Sequence, residues 1–556
     1  MKLWLTLVFA LAGLAHAQQR ADLVIRNGKI VTIDAERPRA QAVAVAGETI
    51  LWVGSNEDVQ PYIDPGRTQV IDARGRLVTP GFNDAHIHFI QGGRAMLEVD
   101  LNDADTRAAV QQKVKARVAE LPSGTLVRGR GWDHERFGDR AWPTRETLDA
   151  VAPNHPVVLW RVDGHSVWVN SVLLRQAGIT RETPDPAGGT IVRDPHSGEP
   201  TGILQEAAQG LLRLSQYAPS EIEQSALDER GLEKALAEAR RTGVTSIQQL
   251  NGGYELFERF REQGRLTARV TVNMELTAND QRLAIFDELR RRYPPENNWI
   301  RFGYLKGFID GTLGSGTALM FAPFDDNPST SGLPQMPYDK LEQRVLAADR
   351  LGFQIGVHAI GTRGNHWVLN AYEKARQING PRDSRHRIEH AQILTDRDIP
   401  RFAQLGVIAS MQPTHCITDK RFAEKRIGRQ RCRGAYAWRR LLDANAHIAF
   451  GTDWPVEPMD PLEGLYAAVT RKDRTGEPGD GWFPDQRLTM EEALKLYTLD
   501  AAYAEFAEDR KGKIRPGYLA DVAIFDRDLL TIPTEQIMQA RVDVTIVGGR
   551  VVYERR

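Results

Sequence analysis

Residues 244–450 alternate short β-rich segments with helical ones, and this alternation limits the possible fold more than any other feature. Segments 244–250, 268–276, 300–309, 353–357, 387–390, 407–411 and 447–450 read as strands. Helical patterns lie between most of them, as at 339–351, 365–377 and 396–405, and another at 225–241 precedes the first. Such alternation makes a parallel sheet with crossover helices. An eighth strand is expected at His86, after the apolar run Leu77-Val78-Thr79-Pro80-Gly81-Phe82. Eight units predict an α/β protein, a (β/α)8 TIM-like barrel.

Both ends of the chain read differently. Segments 21–25, 29–33, 42–46 and 50–54 are β-rich and separated by turn signals such as Asn27-Gly28, and 521–525 and 542–553 match them, with Gly548-Gly549 as a hairpin turn. A small β-sandwich domain built from both termini is expected, from residues 18–78 and 508–556, around a barrel of residues 79–507. Residues 89–217 are too many for one strand–helix connection. They predict a large insertion after barrel strand 1, lying over the barrel mouth.

Residues 1–17 read as a secretory signal: Lys2, an apolar run from Leu3 to Leu14, and Ala15-His16-Ala17 as a cleavage site, leaving Gln18 as the mature start. An exported protein, periplasmic or secreted, is expected, with no membrane association after signal removal. The 72 basic and 73 acidic residues leave a net charge of −1, which favours neither nucleic acid nor an anionic membrane as a partner. A homodimer is allowed. The two cysteines, Cys416 and Cys432, fall in what reads as one long loop. They form a disulfide or stay as free thiols, and lack zinc-ligand spacing.

His86 and His88 stand two apart. Side chains at i and i+2 share one face of a strand, so both imidazoles can meet one metal ion. Alone, such a pair is common by chance. Lys306, His358, His390 and Asp453 fall at or just beyond the C-terminal ends of other expected strands, and in a barrel those ends share one rim. Taken singly, His358 reads as a hydrogen-bonded rim residue, Asp453 as a helix N-cap and Lys306 as a solvated lysine. Their joint placement points to a centre for zinc or a similar divalent ion.

At this point the chain resembles the metal-dependent amidohydrolase superfamily, and within it the amidohydrolase-3 branch that includes N-substituted formamide deformylase-like enzymes. The resemblance rests on Thr79-Pro80-Gly81-Phe82-Asn83-Asp84-Ala85-His86-Ile87-His88, Asp163-Gly164-His165-Ser166-Val167-Trp168-Val169-Asn170-Ser171, Gly202-Ile203-Leu204-Gln205-Glu206-Ala207-Ala208, Arg387-Ile388-Glu389-His390-Ala391-Gln392 and Gly451-Thr452-Asp453-Trp454-Pro455-Val456. It implies that His86, His88 and Asp453 bind a first ion and His358 and His390 a second, with N-carboxylated Lys306 bridging two zinc ions. A single ion beside an unmodified lysine stays open. It also implies hydrolysis of a small-molecule amide, an N-acyl or N-formyl amine, by metal-activated water, with Asp453 moving the proton. An ester or cyclic amide as substrate, or a non-catalytic binding protein, are the alternatives.

Weaker candidates surround this set. His165 either donates to the oxyanion or holds the insert together. Trp132 and Asp133, with His134 and Phe137, line an apolar substrate pocket or pack as core. Asp310 orients a metal ligand or caps the loop at Gly311, and His415 touches substrate. Arg426 and Arg431 read as solvated charges, and Gly314-Ser315-Gly316 is no phosphate loop.

Overall fold

A computed structural model describes residues 20–161, 166–186, 189–314 and 316–555. The expected signal segment and His165 lie outside the described residues. The chain forms two compact units, one of residues up to His88 with Leu236 onward, the other Phe89–Ala235.

The first unit holds the barrel: β1 (Phe82–Ile87), β2 (Val244–Gln249), β3 (Arg269–Glu275), β4 (Ile300–Phe308), β5 (Ile355–Ala359), β6 (Arg387–His390), β7 (Ile408–Met411) and β8 (Ile448–Phe450). They pair in sequence order, every pair parallel. Every residue of β1, β2, β5, β6, β7 and β8 is buried. A parallel sheet covered on both faces explains why even polar strand residues such as Asn83, Gln248 and Arg387 are buried. Beyond the ends of β1 and β8 the seam closes with Asp453 N–H to His86 O at 2.8 Å and His88 N–H to Trp454 O at 2.9 Å. Buried Asp84 adds to it, accepting from the amides of His86 at 3.2 Å and Thr452 at 2.9 Å.

The sandwich draws on both termini. Leu77–Pro80 runs parallel to Lys29–Val31 and antiparallel to Val522–Phe525. The latter pairs with Val542–Val547, which turns through Gly548 and Gly549, both at positive φ, into Arg550–Glu554. A facing four-stranded sheet joins Leu23–Arg26, Ala42–Ala46, Thr49–Gly54 and Gln69–Asp72. Ile25, Ile30, Val43, Val522 and Ile524 share one core between the sheets. Leu77–Pro80 leads straight into β1 through Gly81, where a Cβ would sit 2.3 Å from the Thr245 side chain. Only glycine lets the chain pass from one sheet to the other so closely.

The barrel floor is plugged by charge. Glu505 accepts from Asn83 Nδ2 at 2.6 Å and pairs with Lys511 Nζ at 2.7 Å, and Lys511 also donates to Ser246 Oγ at 2.7 Å. Glu505 and Lys511 thereby neutralise each other below the rim.

One segment departs from expectation. Cys416 and Cys432 lie on helix Pro413–Cys432, not in a loop, and both are buried free thiols. Pro413 at the helix start favours this, and the basic composition masked the helical period. Cys416 lies about three helical turns before a kink at Gly428 and Cys432 about one turn after it, which keeps them beyond disulfide reach. No helix of the described residues is long and apolar enough to cross a membrane.

The second unit is a six-stranded mixed sheet built from Val99–Asp100, Val127–Trp132, Val157–Arg161, Ser166–Val169, Pro200–Glu206 and Gly189–Arg193. Its end falls inside helix Glu221–Arg241. Trp132 is fully buried in its core against Trp142 and Trp168, with the indole N–H on Leu159 O at 2.8 Å. Trp132 therefore packs as core.

Candidate metal centre

β1, β4, β5, β6 and β8 bring the expected residues to one rim. Strand alternation turns His86 and Lys306 inward, and both are buried. His390, the last residue of β6, and Asp453, beyond the end of β8, have φ of 73° and 59°. Left-handed backbone is strained for such residues, and it clusters where side chains must be re-aimed. The ring centres of His86 and His358 lie 4.9 and 4.5 Å from that of His390.

Asp453 joins the two halves. Its Oδ1 lies 3.3 Å from His86 Nε2 and 3.4 Å from His88 Nε2, and its Oδ2 lies 3.2 Å from His415 Nε2. Ligands about 2.0–2.1 Å from a tetrahedral zinc ion are roughly 3.3 Å apart, the spacing seen here. Asp453 Oδ1 is buried without a hydrogen-bond partner, as an oxygen aimed at a cation would be. Among the described residues two groups suit an ion, His86–His88–Asp453 and His390–His415–Asp453.

Neighbouring groups fix which ring nitrogens are free. His86 Nδ1 donates to the Glu389 carboxylate and His358 Nε2 to Gly311 O at 3.2 Å. His390 Nδ1 donates to Gln412 Oε1 at 2.8 Å, whose amide nitrogen turns to Ser410 O. Carboxylate and carbonyl oxygens only accept, so lone pairs remain on His86 Nε2, His358 Nδ1 and His390 Nε2. The Asn251 amide lies 3.4 Å from His88 Nδ1.

Electrostatics agree with ligand roles. Burial lowers His88 to about 4 and His358 to about 3, and takes His390 well below the usual histidine range, neighbouring positive charges adding to each. Neutral imidazole is the ligating form. Burial also lowers Lys306 to about 8, although the Glu389 and Asp453 carboxylates oppose this. Burial pushes Asp453 up, but His86, His415 and His390 outweigh it and hold the carboxyl well below its ordinary range.

Glu389 was not singled out in the sequence, although it lies beside His390. It is fully buried, ion-paired with Arg387 Nε at 2.9 Å, and held well below the usual carboxylate range because Arg387 and His86 outweigh burial. Arg387 also donates to Ala85 O and Ser410 Oγ at 2.7 Å. The signal was the i, i+2 period, which turns Arg387 and Glu389 to the barrel interior together. Glu389→Gln is expected to weaken zinc binding by about 10-fold or more, as loss of such histidine partners does. Equilibrium dialysis of the variant checks this, and unchanged affinity would contradict it.

Other expectations fare differently. The Asp310 carboxylate accepts from the amides of Leu319, Ile360 and Gly361 at 2.8–3.0 Å and lies 3.6 Å from His358 Nε2. It ties rim loops together beside His358. Asp133 pairs with Arg161 at 2.6 Å within the second unit. His415 is against Asp453. Arg426 and Arg431 are partly buried and pair with acids, Asp326 at 3.1 Å and Asp325 at 2.5 Å.

Comparison with known proteins adds independent findings. A model of the amidohydrolase family matches residues 69–553. The chain is 34% identical to Protein LONG AFTER FAR-RED 3 of Arabidopsis thaliana over 96% of its length and 92% of that protein. It is 30% identical to the N-substituted formamide deformylase of Arthrobacter pascens, over 97% of its length and 99% of that protein. An uncharacterized metal-dependent hydrolase from Pyrococcus furiosus superposes with a TM-score of 0.71 at 28% identity, covering 92% of this chain and all of that one.

Proposed function

The chain belongs to the amidohydrolase family, and from that premise we propose that it is an exported two-zinc enzyme hydrolysing N-acyl or N-formyl amines. Family membership makes it a metal-dependent hydrolase of carbon–nitrogen bonds acting on a small molecule. The observation that carries the finer reading is Asp453, buried, with one unpartnered oxygen set against His86 and His88. The Arthrobacter relative supports the substrate class. The signal-like residues 1–17 support export, which N-terminal sequencing of the secreted protein tests by finding Gln18 first.

His86, His88 and Asp453 would hold one ion and His358 and His390 the other, with Lys306 between them. Bound divalent ions lower the pKa of water from about 15.7 to about 7 and polarise the substrate carbonyl. Lys306 is buried between carboxylates and part-neutral near pH 8. Its neutral amine adds carbon dioxide and releases a proton, turning a repelling ammonium into a carbamate with two oxygens. Asp453 takes the proton of the attacking water at Oδ2, the oxygen turned away from His86 and His88, and delivers it to the leaving nitrogen. A carboxylic acid and an amine leave. His165 would donate to the carbonyl oxygen as it gains charge.

The zinc-loaded protein, offered formamides, N-acyl amines, lactams and esters, is expected to cleave the open-chain amides fastest. Turnover of esters alone would show the substrate class to be wrong. Protein that neither retains nor rebinds zinc would sink the enzymatic reading altogether.

A further inference from the structure

His415 stands in the second ion-suited group with His390 and Asp453 but has no part in the ligand scheme proposed above, and its side chain is only 12% exposed. It sits in the first turn of helix Pro413–Cys432, directly after β7. Its Nε2 lies 3.2 Å from Asp453 Oδ2 and its Nδ1 3.7 Å from Glu457 Oε1. Glu457 is itself buried and fixed by Thr418 Oγ1, which donates to Oε1 at 2.7 Å from the same helix. Helix and β8 loop thus hold the imidazole between two carboxylates.

We propose that His415 is a positioning residue for Asp453, donating from Nε2 to Oδ2 and so fixing the rotation that presents Oδ1 to His86 and His88. The proposal rests on the amidohydrolase reading and deepens it. Asp453 needs such a donor for a physical reason. A carboxylate rotates about its last torsion with little preference of its own, because sp³–sp² torsions are broad. Its Oδ1 makes no hydrogen bond that would orient it. The contact on Oδ2 therefore sets the angle, and Nε2–H can supply it whether the imidazole is neutral or charged. Glu457 and Thr418 stand behind His415 and stop it from swinging away.

Three roles for His415 make different predictions in the zinc-loaded enzyme. As a positioning residue, His415→Ala lowers kcat by about 100-fold, the cost of an ångström-scale misplacement, with KM within about twofold and zinc content unchanged. His415→Gln, whose amide N–H can take the place of Nε2–H, recovers about 10-fold of that loss. It also covers the case in which the alanine variant fails to fold. A raised KM with kcat intact would make His415 a substrate contact and overturn the proposal. So would loss of an ion from His415→Ala, which would make it a ligand with His390 and Asp453. An alanine variant with wild-type kcat would overturn it too. A wild-type protein that holds zinc and cleaves no amide would refute the proposed function instead, so the two failures are distinguishable.

Discussion

Asp453→Asn is expected to lower kcat by about 1,000-fold in protein that still folds, the middle of the range for a lost general acid–base group once ligand loss is included. Asn has the shape of Asp, so the buried site at the β1–β8 seam keeps its packing. Three things go at once. The negative charge facing His86 and His88 disappears, so cation binding weakens. The carboxylate proposed to accept the proton becomes an amide of negligible basicity. The contact with His415 loses its charge assistance, which is about half the strength of such a bond. Steady-state kinetics on samples of measured zinc content separate these effects. A fully metal-loaded variant keeping more than about a tenth of the wild-type kcat would remove Asp453 from the proton-transfer role.

Lys306→Ala is expected to abolish measurable turnover and to reduce metal content from two ions to one or none. Lys306 is buried with its Nζ 4.8 Å above the Phe308 ring, on the strand between those of the two histidine groups. A permanent ammonium there would repel divalent ions strongly in so dry a site. Conversion to the proposed carbamate would change the local charge by two units, from +1 to −1, and would offer two oxygens to the ions. Removing the side chain removes both effects. Metal analysis by mass spectrometry provides the readout, and full occupancy in Lys306→Ala would contradict the bridge. Added bicarbonate should raise zinc loading of the wild type, since carbon dioxide is consumed in forming the carbamate. The alanine variant should not respond.

Much of the centre was legible because it depends on local periods. His86-Ile87-His88 and Arg387-Ile388-Glu389 both follow the two-residue repeat of a strand, and each candidate fell near or just beyond the end of a β-rich segment. Strand β5 runs Ile355–Ala359, so its expected start at Phe353 was two residues early, but His358 still reaches the rim. Trp132 and Asp310 were harder. An aromatic residue beside polar ones reads the same whether it lines a pocket or fills a core, and burial alone decides. A carboxylate near a metal ligand reads the same whether it serves the ligand or loop amides, and for Asp310 the amides of Leu319, Ile360 and Gly361 decide.

By itself the sequence determined the barrel, the terminal sandwich and the residue types at the strand ends, because side-chain alternation and strand–helix order are properties of neighbours along the chain. Tertiary structure alone decided what each of those residues touches. His86 meets Glu389 across 303 positions, and His415 meets Asp453 across 38. No local period carries such a pairing. It arises when a closed parallel barrel sets distant strand ends side by side in a site dry enough for every buried polar atom to require a partner or an ion.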